Sequence, residues 1–272
     1  MQEQNRTPLK IQISIPSYRG FNCNELTRSL MQLVTIPTDP VIDWTISFSR
    51  NCPVLPRVRN SLAAAAVATN CTHILFIDDD IGFAPEDVLR MIGHDVGFVA
   101  AVPQKRNTKW DQEAAMAVFP GGLEVDRACG LAVPPKPKAP MALTLIKTDV
   151  FKRIAEATWP NGEPLARRFV YPHGPRDAQA WMRMYFGYEL EPSPEWSEEY
   201  KLAKELGWAD EDIQSEDGED HYFCRRVAAI GEPIYLDVNA ELVHFEGNVA
   251  HDFSLKKLMN SDKVVLKQRE AA

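Results

Sequence analysis

The amino-acid sequence predicts an α/β protein with a mostly parallel central sheet flanked by helices. Three observations carry that expectation. Through the first hundred residues β-rich runs alternate with helix-spaced runs, the pattern of parallel strands joined by helical crossovers. The run "HILFI" (73–77) is apolar on both faces, as strands covered from both sides are. Finally, no internal repeat or clear linker divides the 272 residues, so a single domain over 1–272 is expected.

The elements follow in order. "KIQISIP" (10–16) reads as a strand that ends at a proline. "NELTRSLMQLV" (24–34) starts at Asn24, a plausible N-cap, and continues at helical spacing. "VIDWTISF" (41–48) is a second strand. Residues 53–70 read as a helix with Leu55, Val58, Leu62 and Ala65 on one face, Arg59 flanking it and Asn60 opposite. "HILFI" is the third strand and delivers Asp78, Asp79 and Asp80 to the sheet edge. A short helix begins at Pro85, a favoured first helical residue, and "VGFVAAV" (96–102) is a fourth strand.

Beyond these, 132–140 is a proline-rich loop, 141–147 a strand and 148–157 a helix. Residues 159–216 form a long polar segment in which arginines and aromatics interleave. A helix over 219–230 stops at Gly231 and Pro233, two short strands follow, and 251–272 is a charged tail.

Composition sets limits on function. At 45% hydrophobic and 25% charged the chain is ordinary for a soluble protein, with no apolar run long enough to span a membrane. The N-terminus lacks the apolar core of a signal peptide, and five scattered cysteines without CxxC spacing read as free thiols of a reducing compartment. A cytoplasmic location is therefore expected, the host cytoplasm for a phage-encoded chain. The net charge of −8 disfavours nonspecific nucleic-acid binding.

The chemistry concentrates at two acidic sites. Open α/β sheets bind ligands beyond the carboxyl ends of their strands, where the triple aspartate sits. Alternation along a strand sends Asp78 and Asp80 one way and Asp79 the other. Two carboxylates on one side suit a hard divalent cation that also takes substrate phosphates. The competing reading is a solvated acidic turn. Further on, Asp220, Phe223, Cys224 and Val227 share a helix face, so Asp220 heads an apolar stripe. The helix dipole favours its ionised form, ready to accept a proton, whereas a plain helix cap is the alternative. Glu219 precedes it as a second acid or a solvated neighbour. His244 shares a strand face with Leu242 and Glu246 and reads as either a packed histidine or a metal ligand.

The order "ISIPSYRG", "RVRNSLAAAAVATNCTHILFIDDDIGFAPEDVLRMI", "MALTLIKTDVFKRI" and "GEDHYFCRRVAAIGEPIYLDVNAELVHFEG" resembles glycosyltransferases of the GT-A fold, closest to the family 2-like group of bacteria and phages. The resemblance covers about 10–105, 141–157 and 216–247. It implies a GT-A fold with a nucleotide-sugar-binding half (10–105), an acceptor-side half (106–250) and a variable insertion (159–216). By the same resemblance Pro16, Ser17 and Tyr18 line the nucleotide-base pocket, with Asp43 a further contact. Arg59 and Lys105, or Arg106, add positive charge near the diphosphate. Asp78 and Asp80 form a DxD motif, with Asp79 beside the donor, and Asp78, Asp80 and His244 are metal contacts. Asp220 matches the catalytic acid-pair position, together with Glu219.

The implied reaction moves a sugar from a UDP-sugar to an acceptor hydroxyl with Mn2+ or Mg2+ and inverts the anomeric centre. The acceptor is expected to be a saccharide or lipid-linked glycan, with a hydroxylated base in phage DNA as the other possibility. The rival readings are a nucleotidyltransferase on a similar sheet, argued against by the absence of a glycine- and lysine-rich phosphate loop, and a non-catalytic sugar-binding relative.

Overall fold

The computed structural model describes residues 8–18, 20, 22–49, 52–104, 123–171, 176–192, 198–206, 209–210, 214–246, 249–251 and 267–268. Strand β1 (Leu9–Pro16) is followed by α1 (Asn24–Thr35), β2 (Ile42–Ser49), α2 (Leu55–Ala68) and β3 (His73–Ile77). The turn after β3 opens into β4 (Ile81–Phe83), α3 (Pro85–Gly93) and β5 (Phe98–Ala101). Then come β6 (Glu124–Asp126), β7 (Leu131–Val133), β8 (Leu143–Lys147) and α4 (Thr148–Glu156). A 3-10 turn spans Arg176–Trp181, before β9 (Glu189–Pro192), α5 (Glu198–Glu205), β10 (Gln214–Asp217) and α6 (Glu219–Ala229). The remaining elements are β11 (Tyr235–Asp237), β12 (Leu242–Glu246), β13 (Val249–His251) and β14 (Lys267–Gln268).

The protein is a mixed α/β structure around a nine-stranded sheet in the order β14-β6-β7-β11-β5-β8-β3-β1-β2. Seven strands point the same way, and only β7 and β8 run against them. The sequence places a strand at β8 but gives no sign of its direction. It lies antiparallel between β3 and β5, two strands that precede it by a long stretch of chain.

Alternation along β1 explains the two-sided core. Ile11, Ile13 and Ile15 face the layer that holds α1 and α3, packing with Leu26, Leu33, Val88 and Met91. Gln12 and Ser14 are also buried, and there a polar residue needs a partner. The Gln12 amide donates to the Leu62 carbonyl of α2 and to the Ser14 hydroxyl. The opposite layer joins α2, α4 and α6 over Phe76 and Phe98, with Phe151 and Phe186 stacked on Phe223.

Two local expectations change. Cys23, not Asn24, caps α1, its sulfur accepting from the Leu26 amide, and Asn24 is the first helical residue. Asn60 does not face solvent opposite a stripe. It is buried beside Arg59 and bonds Phe186 twice, donating to the carbonyl and accepting from the amide, both at 2.9 Å.

The segment after residue 159 is less irregular than its polarity suggests. The 3-10 turn packs on α2, Tyr185 and Phe186 are fully buried, and β9 pairs with β10, which leads directly into α6. Most of the tail after residue 251 lies outside the described residues.

Candidate active site

The carboxyl ends of β1, β2 and β3 lie on one edge of the sheet, since all three are parallel and in register. That edge gathers most of the residues singled out in the sequence. Pro16 ends β1, and the buried Ser17 continues it by donating its amide to the Ser49 carbonyl. Tyr18 follows with an exposed ring. Next to them the chain leaves β3 at Ile77 and turns through Asp79 and Asp80. Strand alternation therefore no longer governs the aspartates, and each finds its own partner.

Asp78 turns to Arg59, whose guanidinium lies 2.9 Å from its Oδ1. A second nitrogen of the same guanidinium lies 2.9 Å from Glu219 Oε1 at the start of α6. Arg59 is 2% exposed, so one buried cation ties the aspartate after β3 to the acid pair on α6. The Phe186 ring lies 6.0 Å from this guanidinium, and the Asn60 bonds hold the backbone of that phenylalanine. Glu219 is thus no solvated neighbour. Burial raises its pKa, Arg59 opposes that shift, and Asp220 and Asp78 add to it. Burial prevails over the ion pair because the cation is shared between two carboxylates.

Asp220 stands beside it, half-buried, with Oδ1 accepting the His221 amide at 2.8 Å in the first turn of α6. The same oxygen lies 2.8 Å from where a Cβ on Gly218 would sit, so a side chain there would displace the Asp220 carboxylate. It is the carboxylate of the pair without an arginine partner among the described residues.

Asp80 turns the other way, to β12. β4 pairs antiparallel with β12 so that His244 stands opposite Ile81, and the Phe245 amide donates to the Asp80 carbonyl. His244 Nε2 then lies 3.4 Å from Asp80 Oδ1, while Nδ1 lies 2.7 Å from the Gln104 carbonyl. A carbonyl only accepts, so Nδ1 carries a proton and Nε2 is the ring atom that faces the carboxylate. An imidazole nitrogen and a carboxylate oxygen that face each other can share a proton or serve together as ligands of a metal ion. Their spacing is about that of neighbouring ligands around a hard cation bound at about 2.0–2.6 Å. The donor set of Asp80 and His244 therefore fits a divalent ion whose remaining positions go to water and substrate oxygens. Among the described residues no group of three His, Cys, Asp or Glu side chains is placed to hold a metal.

Asp79 contributes its backbone, the carbonyl accepting from the Cys23 amide at 2.9 Å and thereby fixing the turn against the start of α1. Asp43 is a correction. It pairs in register with Lys10 at the opposite end of β1 and β2, six residues or about 20 Å from Ser49, so it cannot line the same pocket as Pro16. β-rich composition identified its strand but not which end met the site. Lys105 and Arg106 lie outside the described residues.

Two contributors had no signal in the sequence: the Gln104 carbonyl that accepts from His244 Nδ1, and the Asn60–Phe186 pair that backs Arg59. The interleaved aromatics prove to be largely packing groups. Tyr185 and Phe186 are in the core, while Tyr188 remains exposed. A cavity of 320 Å³ at the other edge of the sheet, lined by Lys147, Arg153, Asp95 and Glu232 among others, has these charges already paired with one another.

No protein-family model and no curated protein matches the chain. Among solved structures, A197 from STIV is similar over 92% of this chain and 91% of its own, at 13% identity and a TM-score of 0.43. No helix among the described residues is long and apolar enough to cross a membrane.

Proposed function

We propose that this protein is a metal-dependent glycosyltransferase of the GT-A type that transfers a sugar from UDP to an acceptor hydroxyl. The observation that supports the reading most is the meeting, at one sheet edge, of Asp78, the Asp80–His244 pair and the acid-headed helix α6. Pro16, Ser17 and Tyr18 border the nucleotide, the exposed Tyr18 ring offering a face to the uracil. Asp78 lies nearer the ribose, and Asp80 with His244 holds Mn2+ or Mg2+. When bound, the ion offsets charge that builds on the diphosphate as the sugar departs.

Asp220 takes the proton of the acceptor hydroxyl as that oxygen bonds to the anomeric carbon. The bond from this carbon to the phosphate oxygen breaks, and the diphosphate leaves with the electron pair. Attack opposite the leaving group inverts the centre. Glu219 is held on Arg59, and in this scheme it orients the helix that presents Asp220. The strip 189–220, whose β9–β10 ribbon enters α6, carries 13 acidic and 2 basic residues. A polyanion is repelled there, which favours an uncharged saccharide over a nucleic-acid acceptor.

The test is a thermal-shift screen of nucleotides and nucleotide sugars with and without manganese. UDP compounds with manganese should raise the melting temperature, and Asp80→Ala should remove that response. Asp220→Asn should keep UDP binding and lower turnover by about 10²–10⁴-fold. Stabilisation by ATP or CTP but not by UDP would sink the proposal, and full turnover by Asp220→Asn would remove the base.

A further inference from the structure

We propose that Arg168 and Arg183 form a binding site for a phosphate monoester, using none of the residues gathered at the sheet edge. The two stand opposite each other as an antiparallel bridge, in the segment where arginines and aromatics interleave. One residue along, the Met184 amide donates to the Arg167 carbonyl at 2.9 Å. The arginines therefore occupy the narrow, non-hydrogen-bonded kind of cross-strand position, with Cα atoms about 4.5 Å apart and side chains leaving from one face. The next pair in register, Phe169 and Met182, takes the other face and joins Ala64 of α2 in an apolar cluster.

Like charges directly opposite destabilise a strand pair, and burial raises the cost. Arg183 is 7% exposed, and burial first, then the Arg168 charge, lowers its pKa, although an arginine stays protonated. No carboxylate relieves the pair. Glu163 is engaged at 3.0 Å by Arg167, and neither Arg168 nor Arg183 has an acidic partner among the described residues. One terminal nitrogen of Arg183 donates to the Ala180 and Met182 carbonyls at 2.9 and 3.2 Å, which fixes the guanidinium. Its Nε and other terminal nitrogen make no hydrogen bond among the described residues, and neither is sealed from solvent. A fork of that kind takes two oxygens of one phosphoryl group.

Charge decides the class of ligand. A monoester carries about 1.5–2 negative charges near neutral pH and so matches two guanidiniums, and its three terminal oxygens serve two forks. A diester carries one charge and leaves one arginine unmatched. Arg183 is the fixed half of the site, and the exposed Arg168 is the half that closes on the ligand. The repulsion kept in the ligand-free protein is what the bound anion removes.

The probe is inorganic phosphate, titrated calorimetrically and by thermal shift into the full chain at constant ionic strength. Phosphate should bind and raise the melting temperature of wild type, whereas chloride at matched ionic strength should not. Arg168→Gln, at an exposed position that leaves the Arg183 anchors in place, should weaken phosphate at least about ten-fold. Arg168→Glu sets a carboxylate opposite Arg183. It should melt above wild type without ligand and lose the phosphate response, a combination that a purely structural arginine would not produce. A hexose phosphate and vesicles containing phosphatidic acid, a lipid monoester, separate a soluble source of the group from a lipid-borne one.

Wild type that ignores phosphate at millimolar concentrations overturns the inference, and so does a phosphate response unchanged in both Arg168 variants. A single-stranded oligonucleotide, all diesters, that binds as tightly as phosphate overturns it too, as does failure of both the hexose phosphate and the vesicles to bind. Asp80→Ala should keep the phosphate response while losing the response to UDP with manganese, so this site and the glycosyltransferase reading fail separately.

Discussion

Single side chains in this protein show how burial overrides pairing. Glu219 has an ion pair with Arg59 and still has a raised pKa, because the desolvation of a carboxylate exceeds what half a shared cation returns. His73 gives the cleaner case. At the start of β3 it is buried, and burial first, then the Lys147 charge, lowers its pKa from 6.5 to about 4. The folded state resists a proton that the unfolded state accepts. Stability from this group is therefore present above pH 6.5 and is lost as the pH falls towards 4, by about 3 kcal/mol in all. Urea unfolding of wild type and His73→Gln across that range should show the difference between them shift against wild type on acidification. A difference that stays flat with pH would refute the assignment.

Among the secondary-structure elements, α2 does the most to assemble the site. Arg59 joins it to β3 and α6, and the adjacent Asn60 joins it to the chain at Phe186. Both backbone hydrogen bonds of Phe186 are made with the one side-chain amide of Asn60, so Asn60→Ala leaves a buried carbonyl and a buried N–H unpaired. It should cost about 2–4 kcal/mol by urea unfolding. Asn60→Asp, which can still accept from the Phe186 amide but no longer donates, tests the two bonds separately. The helix was legible in the sequence because apolar spacing marks it, and so were the strand ahead of the aspartates and the Gly231 stop of α6. Asn60 was not legible. Its partner lies 126 residues away on the backbone of an irregular segment, where no local pattern registers it. Asp43 failed for a related reason, since composition finds a strand without saying which end faces the ligand.

At the scale of the whole molecule, the overall net charge conceals an uneven distribution. The strip 189–220 holds an excess of acid larger than that of the entire chain, so the remainder is slightly basic. An argument from net charge about nucleic acid thus becomes an argument about the stretch of sequence that leads into Asp220. Sheet order sets the other global property. β8 lies between β3 and β5, buried on both sides, so the sheet has no continuous centre until residue 147 is in place. A fragment ending at residue 140 should give the poorly dispersed amide spectrum of an unfolded chain by NMR, although it contains every residue assigned to the nucleotide-binding half. During synthesis on the ribosome, β3 and β5 emerge with open, apolar edges and wait for some forty further residues before they can close. Expression yield in a heterologous host should accordingly depend on chaperone supply during that interval more than on the stability of the finished protein.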